Sequence, residues 1–176
     1  MKKSILLLAS IVLLAASCEK DGPLDTGKLP PATMSGKNTF GCKINGEVWL
    51  PGGGTIWDGP IYAKHDMGWV GCDQLFVPAS HIFDDGETSI YQSISINVWC
   101  PKLGENIMTF NKGAYKDFKG CGEYYLDTLS TYKLNITRLD SVKFIASGTF
   151  EFTAINDDFK DTLVITEGRF DVDTHL

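Results

Sequence analysis

Thr88-Ser89-Ile90-Tyr91-Gln92-Ser93-Ile94-Ser95-Ile96-Asn97-Val98-Trp99-Cys100 is the stretch on which the fold turns. Ile90, Gln92, Ile94, Ile96, Val98 and Cys100 fall on one side of an extended chain, and Ser89, Tyr91, Ser93, Ser95, Asn97 and Trp99 on the other. Successive side chains of a strand point to opposite faces, so this alternation is that of a half-buried β-strand. Only Gln92 interrupts the apolar face. Pro101 stops the run, and Leu103-Gly104 turns the chain into a further strand over Glu105–Asn111.

The same period recurs on both sides. Phe40, Cys42 and Ile44 alternate with Gly41 and Lys43, Asn45-Gly46 follows, and Glu47 to Leu50 is the return strand. Both residues of an Asn-Gly pair accept positive φ, which makes it a strong hairpin signal. Pro51-Gly52-Gly53-Gly54 ends the hairpin. Tyr124–Leu126, Thr131–Leu139, Ser141–Ala154 and Thr162–Val172 continue the pattern, with Gly168 as a bulge position. The last two runs flank a polar turn, Asn156–Lys160, so an antiparallel pair places Phe150, Phe152, Ile165 and Phe170 in or beside the core. Gly52 to Ser80 carries no readable pattern. No helical segment stands out. Strands at this spacing predict an all-β fold, an antiparallel β-sandwich or flattened barrel of about eight to ten strands, as a single β domain over residues 38–176.

Composition bounds the function. The chain has 176 residues, 43% of them hydrophobic, which is enough for one sizeable core. Sixteen Lys and Arg against 22 Asp and Glu give a charge of −6, which argues against a nucleic-acid binder that works by neutralising phosphates.

The N-terminus reads as an address. Lys2 and Lys3 precede an uncharged run from Ile5 to Ala16. Twelve residues are too few to cross a bilayer core, which needs about 20, but they fit the apolar region of a secretory signal peptide over residues 1–17. Ala15, Ala16 and Ser17 lead into Cys18, which resembles the lipobox of bacterial lipoproteins, with Ala15 where Leu is usual and Leu14 one position earlier. The resemblance implies a mature chain that begins at a lipidated, palmitate-type Cys18 and is anchored to the outer membrane. Cleavage leaves 14 basic residues against 22 acidic ones, so the body has no general attraction to anionic headgroups and the lipid must hold it. Cys18-Glu19-Lys20-Asp21 is similar to the Lys-plus-acid export signals of lipoproteins displayed on the outer face of Bacteroidota-type cells, which implies outward display. Glu19 to Lys37, with three Pro and three Gly, reads as a flexible tether from Cys18.

Several phrases together resemble a family of small Bacteroidota-type lipoproteins of unknown function. They are Leu29-Pro30-Pro31-Ala32-Thr33, the run from Gly36 to Cys42, Asn45-Gly46 with Trp49, the run from Gly148 to Phe152, and the run from Ile165 to Val172. The resemblance implies a lipid-anchored, mostly β, extracytoplasmic domain and carries over no catalytic residue.

The candidate chemistry is sparse. With Cys18 lipidated, Cys42, Cys72, Cys100 and Cys121 remain for disulfides in an exported domain, and shared strand faces favour Cys42–Cys100 with Cys72–Cys121. Their spacings of 30, 28 and 21 residues have no zinc-finger grouping, and no metal site or cofactor is expected. His65, His81 and His175 are scattered, with His65-Asp66 the one adjacent pair of base and carboxylate. Asp84-Asp85 and Asp157-Asp158 are acid pairs in turn-like surroundings. Trp49, Trp57, Tyr62, Trp69, Tyr91 and Trp99 crowd one half of the chain. Flat rings stack on sugars, and Trp57, in a Gly-rich loop, is the ligand-binding candidate. Asp127-Thr128-Leu129, Asp140-Ser141-Val142 and Asp161-Thr162-Leu163 resemble the O-glycosylation acceptors of Bacteroidota-type exported proteins, with Thr128, Ser141 and Thr162 as the hydroxyls. The expectation is a non-enzymatic binding or structural surface protein with a glycan or protein partner. An extracytoplasmic hydrolase using loop Asp and Glu residues is the alternative.

Overall fold

The computed structural model describes residues 27–53, 59–67, 71–84, 89–108, 115–117, 122–158 and 160–175, with residues 67, 83, 84, 89 and 90 described by their backbone alone. Over these residues the chain is all-β. Its strands are β1 (Thr39–Ile44), β2 (Glu47–Trp49), β3 (Lys64–Met67), β4 (Asp73–Asp84), β5 (Ser89–Trp99), β6 (Gly104–Glu105), β7 (Tyr115–Asp117), β8 (Gly122–Leu126), β9 (Lys133–Asp140), β10 (Ile145–Asn156) and β11 (Asp161–Asp173).

Every strand pairing is antiparallel, in the order β2-β1-β11-β10-β8-β7-β5-β4-β3, with β9 on β10 and β6 on β9. β10 is the branch point. Residues 145–151 pair with β9, while Ala154 and Ile155 pair with Leu126 and Tyr125 of β8. β8 then carries the sheet over to β7, β5, β4 and β3. A bridge between Lys64 and His175 brings β3 back against the chain end beyond β11. One sheet is thus folded onto itself, as in a sandwich or flattened barrel, and both halves feed one buried cluster. Leu75, Val77, Ile94, Ile96 and Val98 enter it from β4 and β5. Phe40, Phe150, Phe152, Ile165, Phe170 and Val172 enter it from β1, β10 and β11.

Phe40, Phe150 and Phe152 form a chain of rings with Trp49 at its end. Gly168 faces Phe150 across the β10–β11 ladder, and a Cβ there would stand 2.4 Å from that ring. Gly148 faces Phe170, whose ring would be 2.8 Å from a Cβ. Each phenyl therefore lies over the glycine opposite it, and a methyl group at either site would push an aromatic out of the core.

Gln92, the polar interruption of the apolar face, is satisfied by Trp49 of β2 and by its neighbour across the ladder on β7. Its Oε1 accepts from Trp49 Nε1 at 2.9 Å, and its Nε2 donates to Asp117 at 3.3 Å. Gln92 is half-buried, and these partners satisfy its amide there.

The structure adds strands to those read from sequence. β3 and most of β4 lie in the unreadable stretch between Gly52 and Ser80. Pro78 hid β4, because proline normally marks a strand edge. Its carbonyl accepts from Tyr62 N–H on the outer side of β4, so its missing N–H falls on that side too and the β4–β5 ladder is unbroken. The reading of Ser141–Ala154 as one strand is corrected: residues 141–144 are a turn, and β10 starts at Ile145. The Asp140 carboxylate accepts from the N–H groups of Val142 and Lys143, and Phe144 takes φ 53°. Of the stretch Glu105–Asn111, the described residues carry only β6 at its start, and residues 109–111 lie outside the described residues.

Residues 29–37 depart from the tether reading. They lie across the strands as a strap without pairing to any of them. Arg169 Nη1 donates to Pro30 O at 3.3 Å, and Arg138 Nη1 donates to Met34 O at 2.5 Å. A Cβ on Gly41 would stand 2.9 Å from Pro30.

Candidate functional site

The outer faces of β9, β10 and β11 carry the polar half of the same period whose apolar half builds the core. Lys133 lies opposite Glu151, Asn135 opposite Thr149, and Thr149 opposite Arg169. β6 adds Glu105 beside Asn135. These residues, with Asn106, Tyr132 and Glu167, line a groove of about 630 Å³.

Four of the five charged residues that line the groove, all but Glu105, are in ion pairs. Lys133 Nζ lies 3.1 Å from Glu151, and Lys43 Nζ lies 2.6 Å from Glu167. Arg169 donates from Nε to Glu167 O at 3.1 Å and holds Nη2 3.7 Å from the Glu167 carboxylate. The Lys43 hydrogen bond keeps the Glu167 carboxyl below its ordinary range. Asn106 is committed locally, accepting from Lys102 N–H and donating to Lys102 O and Gly104 O. The groove thus offers fixed donors and acceptors with little net charge, and a tyrosine ring at its side.

Beside the groove, the Asp171 carboxylate is 1% exposed although it points away from the core. Thr33 Oγ1 donates to it at 2.6 Å, Ser35 N–H at 2.9 Å, Gly36 N–H at 2.8 Å and Ser147 Oγ at 2.7 Å. Burial alone would raise its pKa. The hydrogen bonds outweigh burial and hold it at about 2.

Among the described residues, those singled out from sequence do not converge. Cys18, Trp57, Trp69, Asp85 and Cys121 lie outside the described residues, as does the side chain of Asp84. The expected cysteine pairing is corrected: Cys72 is joined to Cys100, and Cys42 is a buried free thiol. Cys42 faces the core opposite Trp49, where burial pushes its pKa up to about 12 and leaves it inert. Cys100 takes φ 50° and leaves its strand face beside the start of β4, where Cys72 lies. Cys72–Cys121 is excluded by the same bond.

His65 and Asp66 do not form a dyad, because adjacent strand residues point to opposite faces. Asp66 pairs with Lys64 at 2.6 Å. The buried His65 Nε2 makes no hydrogen bond and lies 3.4 Å from Asp73. His81 Nδ1 is 2.9 Å from Leu50 O, and the His175 ring lies on Phe144 at 3.8 Å. Among the described residues no group of three His, Cys, Asp or Glu is placed to hold a metal ion. Asp157 and Asp158 sit in a turn where Asp158 N–H donates to Asn156 Oδ1. Trp49 is core, while Tyr62 and Tyr91 are exposed.

Thr128, Ser141 and Thr162 are all exposed. The aspartate before each is engaged locally. Asp127 caps Leu129 N–H and Ser130, Asp140 holds Arg138 and its turn, and Asp161 accepts from Tyr124. The apolar third residue stands free in two of the three, with Leu129 97% and Val142 84% exposed.

Sequence reasoning missed the groove because no motif marks it. Its residues come from β6, β9, β10 and β11, and only the outward positions of an already recognised alternation pointed to it. Comparison with protein-family models, with curated proteins and with solved structures finds no match to this chain.

Proposed function

We propose that the chain is a lipid-anchored, extracytoplasmic, non-enzymatic binding domain that holds a neutral glycan in the groove on β6, β9, β10 and β11. The observation that carries this reading is the near-balance of the groove's charges, with Glu105 alone outside the ion pairs. Lys133 with Glu151, and Lys43 and Arg169 with Glu167, make an array of hydrogen-bonding groups without a strong net field. Such a surface suits a polyhydroxylated, uncharged ligand better than a phosphate or a highly charged peptide, which needs an unpaired cluster of one sign. Tyr132 adds a flat ring at the side. Anchoring on Cys18, outer-membrane location and outward display rest on the lipobox and the residues after it, as does membership of the lipoprotein family that the sequence resembles.

Full-length chain in detergent, applied to an array of neutral and acidic oligosaccharides, tests the reading. Binding to neutral glycans, lost when Thr149→Trp fills the groove, supports it. No binding to any glycan, or equal binding by the variant, overturns it. Three glutamates in one groove keep a glycoside hydrolase as the second reading. Against it, Lys43 holds Glu167 ionised, whereas a general acid needs a raised pKa. Shortening of the oligosaccharides during the same incubation would favour the hydrolase.

A further inference from the structure

We propose that residues 29–37 are a latched strap, clamped by the Asp171 carboxylate, that opens as a unit of its own while the strand ladders stay closed. The latch is built like an anion site. The N–H groups of Ser35, Gly36 and Lys37 all converge on Asp171, at 2.9, 2.8 and 3.4 Å. Consecutive backbone amides around one carboxylate form a concave nest that favours negative charge. Gly36 takes φ 71° to make the turn, and a Cβ there would stand 3.1 Å from Ile145. Ser147, directly across the ladder from Asp171, supplies a hydroxyl from below, while Thr33 supplies one from the strap. Arg138 of β9 and Arg169 of β11 tie down Met34 and Pro30, and Gly41 of β1 leaves room for Pro30 to pass.

The strap lies on top of the sheet, with its partners below or on the strap itself, and no strand pairs with it. It can therefore leave without disturbing the ladders. Opening frees Arg169, which lines the groove, from Pro30.

Hydrogen exchange on the full-length chain in detergent tests the latch, whatever the fate of the lipid or of the glycan. The amides of Ser35, Gly36 and Lys37 are expected to be protected in the native chain. They should exchange about 30- to 100-fold faster in Asp171→Asn, while Phe150 and Phe152 keep their protection. Brief trypsin digestion should cut after Lys37 in the variant and not in the native chain. Coil-like exchange of residues 35–37 in the native chain, or unchanged protection in Asp171→Asn, overturns the proposal. If Asp171→Asn does not fold, Thr33→Val carries the test, since it alters only the strap. An increase of about 3- to 10-fold at residues 35–37 supports the latch and no change refutes it.

Discussion

β10 and β11 have two faces with different histories. The inner face carries Phe150, Phe152, Ile165 and Phe170, all at 2% exposure or less. The outer face carries Ser147 and Asp171, which are buried just as completely, at 0% and 1%. Apolar burial on the inner face follows from alternation alone. Polar burial on the outer face requires a cover, and that cover comes from residues more than 130 positions earlier in the chain. The lesson is that a period of two tells which side of a strand is wet only until another segment lies on it.

The sharpest way to break this comparison is Phe150→Ala, on the inner face. Truncating a buried Phe costs about 3–5 kcal/mol, and the ring also rests on Gly168, so the melting temperature should fall steeply. Equal melting temperatures for variant and native chain would mean that the buried face is misassigned. Removing the disulfide by Cys72→Ser with Cys100→Ser comes next. It closes a separation of 28 residues, and the denatured chain should gain about 3–4 kcal/mol of loop entropy without it. Urea unfolding checks this, and an unchanged midpoint would deny the bond.

The outer face answers with a smaller and pH-dependent effect. Asp171→Asn should cost about 2–3 kcal/mol at neutral pH, the scale of hydrogen bonds to a charged group. The folded pKa of about 2 lies below the unfolded value. The contribution is therefore full above about pH 4 and is lost as the pH falls toward 2. Unfolding curves of the two proteins should converge over that range, and a constant gap would show that charge is not the cause. Thr149→Trp, in the groove, should change stability by less than about 0.5 kcal/mol, because Thr149 is exposed. A large loss of stability there would place the groove in the core instead of on the surface.

Legibility followed the same division. β1, β5, β9 and the pairing of β10 with β11 were open to reading because each carries its own alternation. The Asn45-Gly46 turn was equally plain, with both residues at positive φ. β4 was hidden by Pro78, and β7 has only three residues. The cysteine pairing was misread because it depends on register. Gln74 lies opposite Trp99, which brings the residues just before β4 and just after β5 together. No local pattern says so. The groove was half-legible: Thr149, Glu151, Asn135 and Lys133 were visible as outward positions, but their assembly with Glu105 and Arg169 was not.

The sequence by itself determined the all-β class, the faces of the long strands and the chemistry of the turns, because these depend on neighbours one to four residues apart. Only the tertiary structure decided the folding of the sheet onto itself, with its bridge between Lys64 and His175, the Cys72–Cys100 bond, the groove, and the strap over Asp171. Each of these joins residues that are distant along the chain. Their cost in chain entropy is repaid only by geometry that the finished sheet provides.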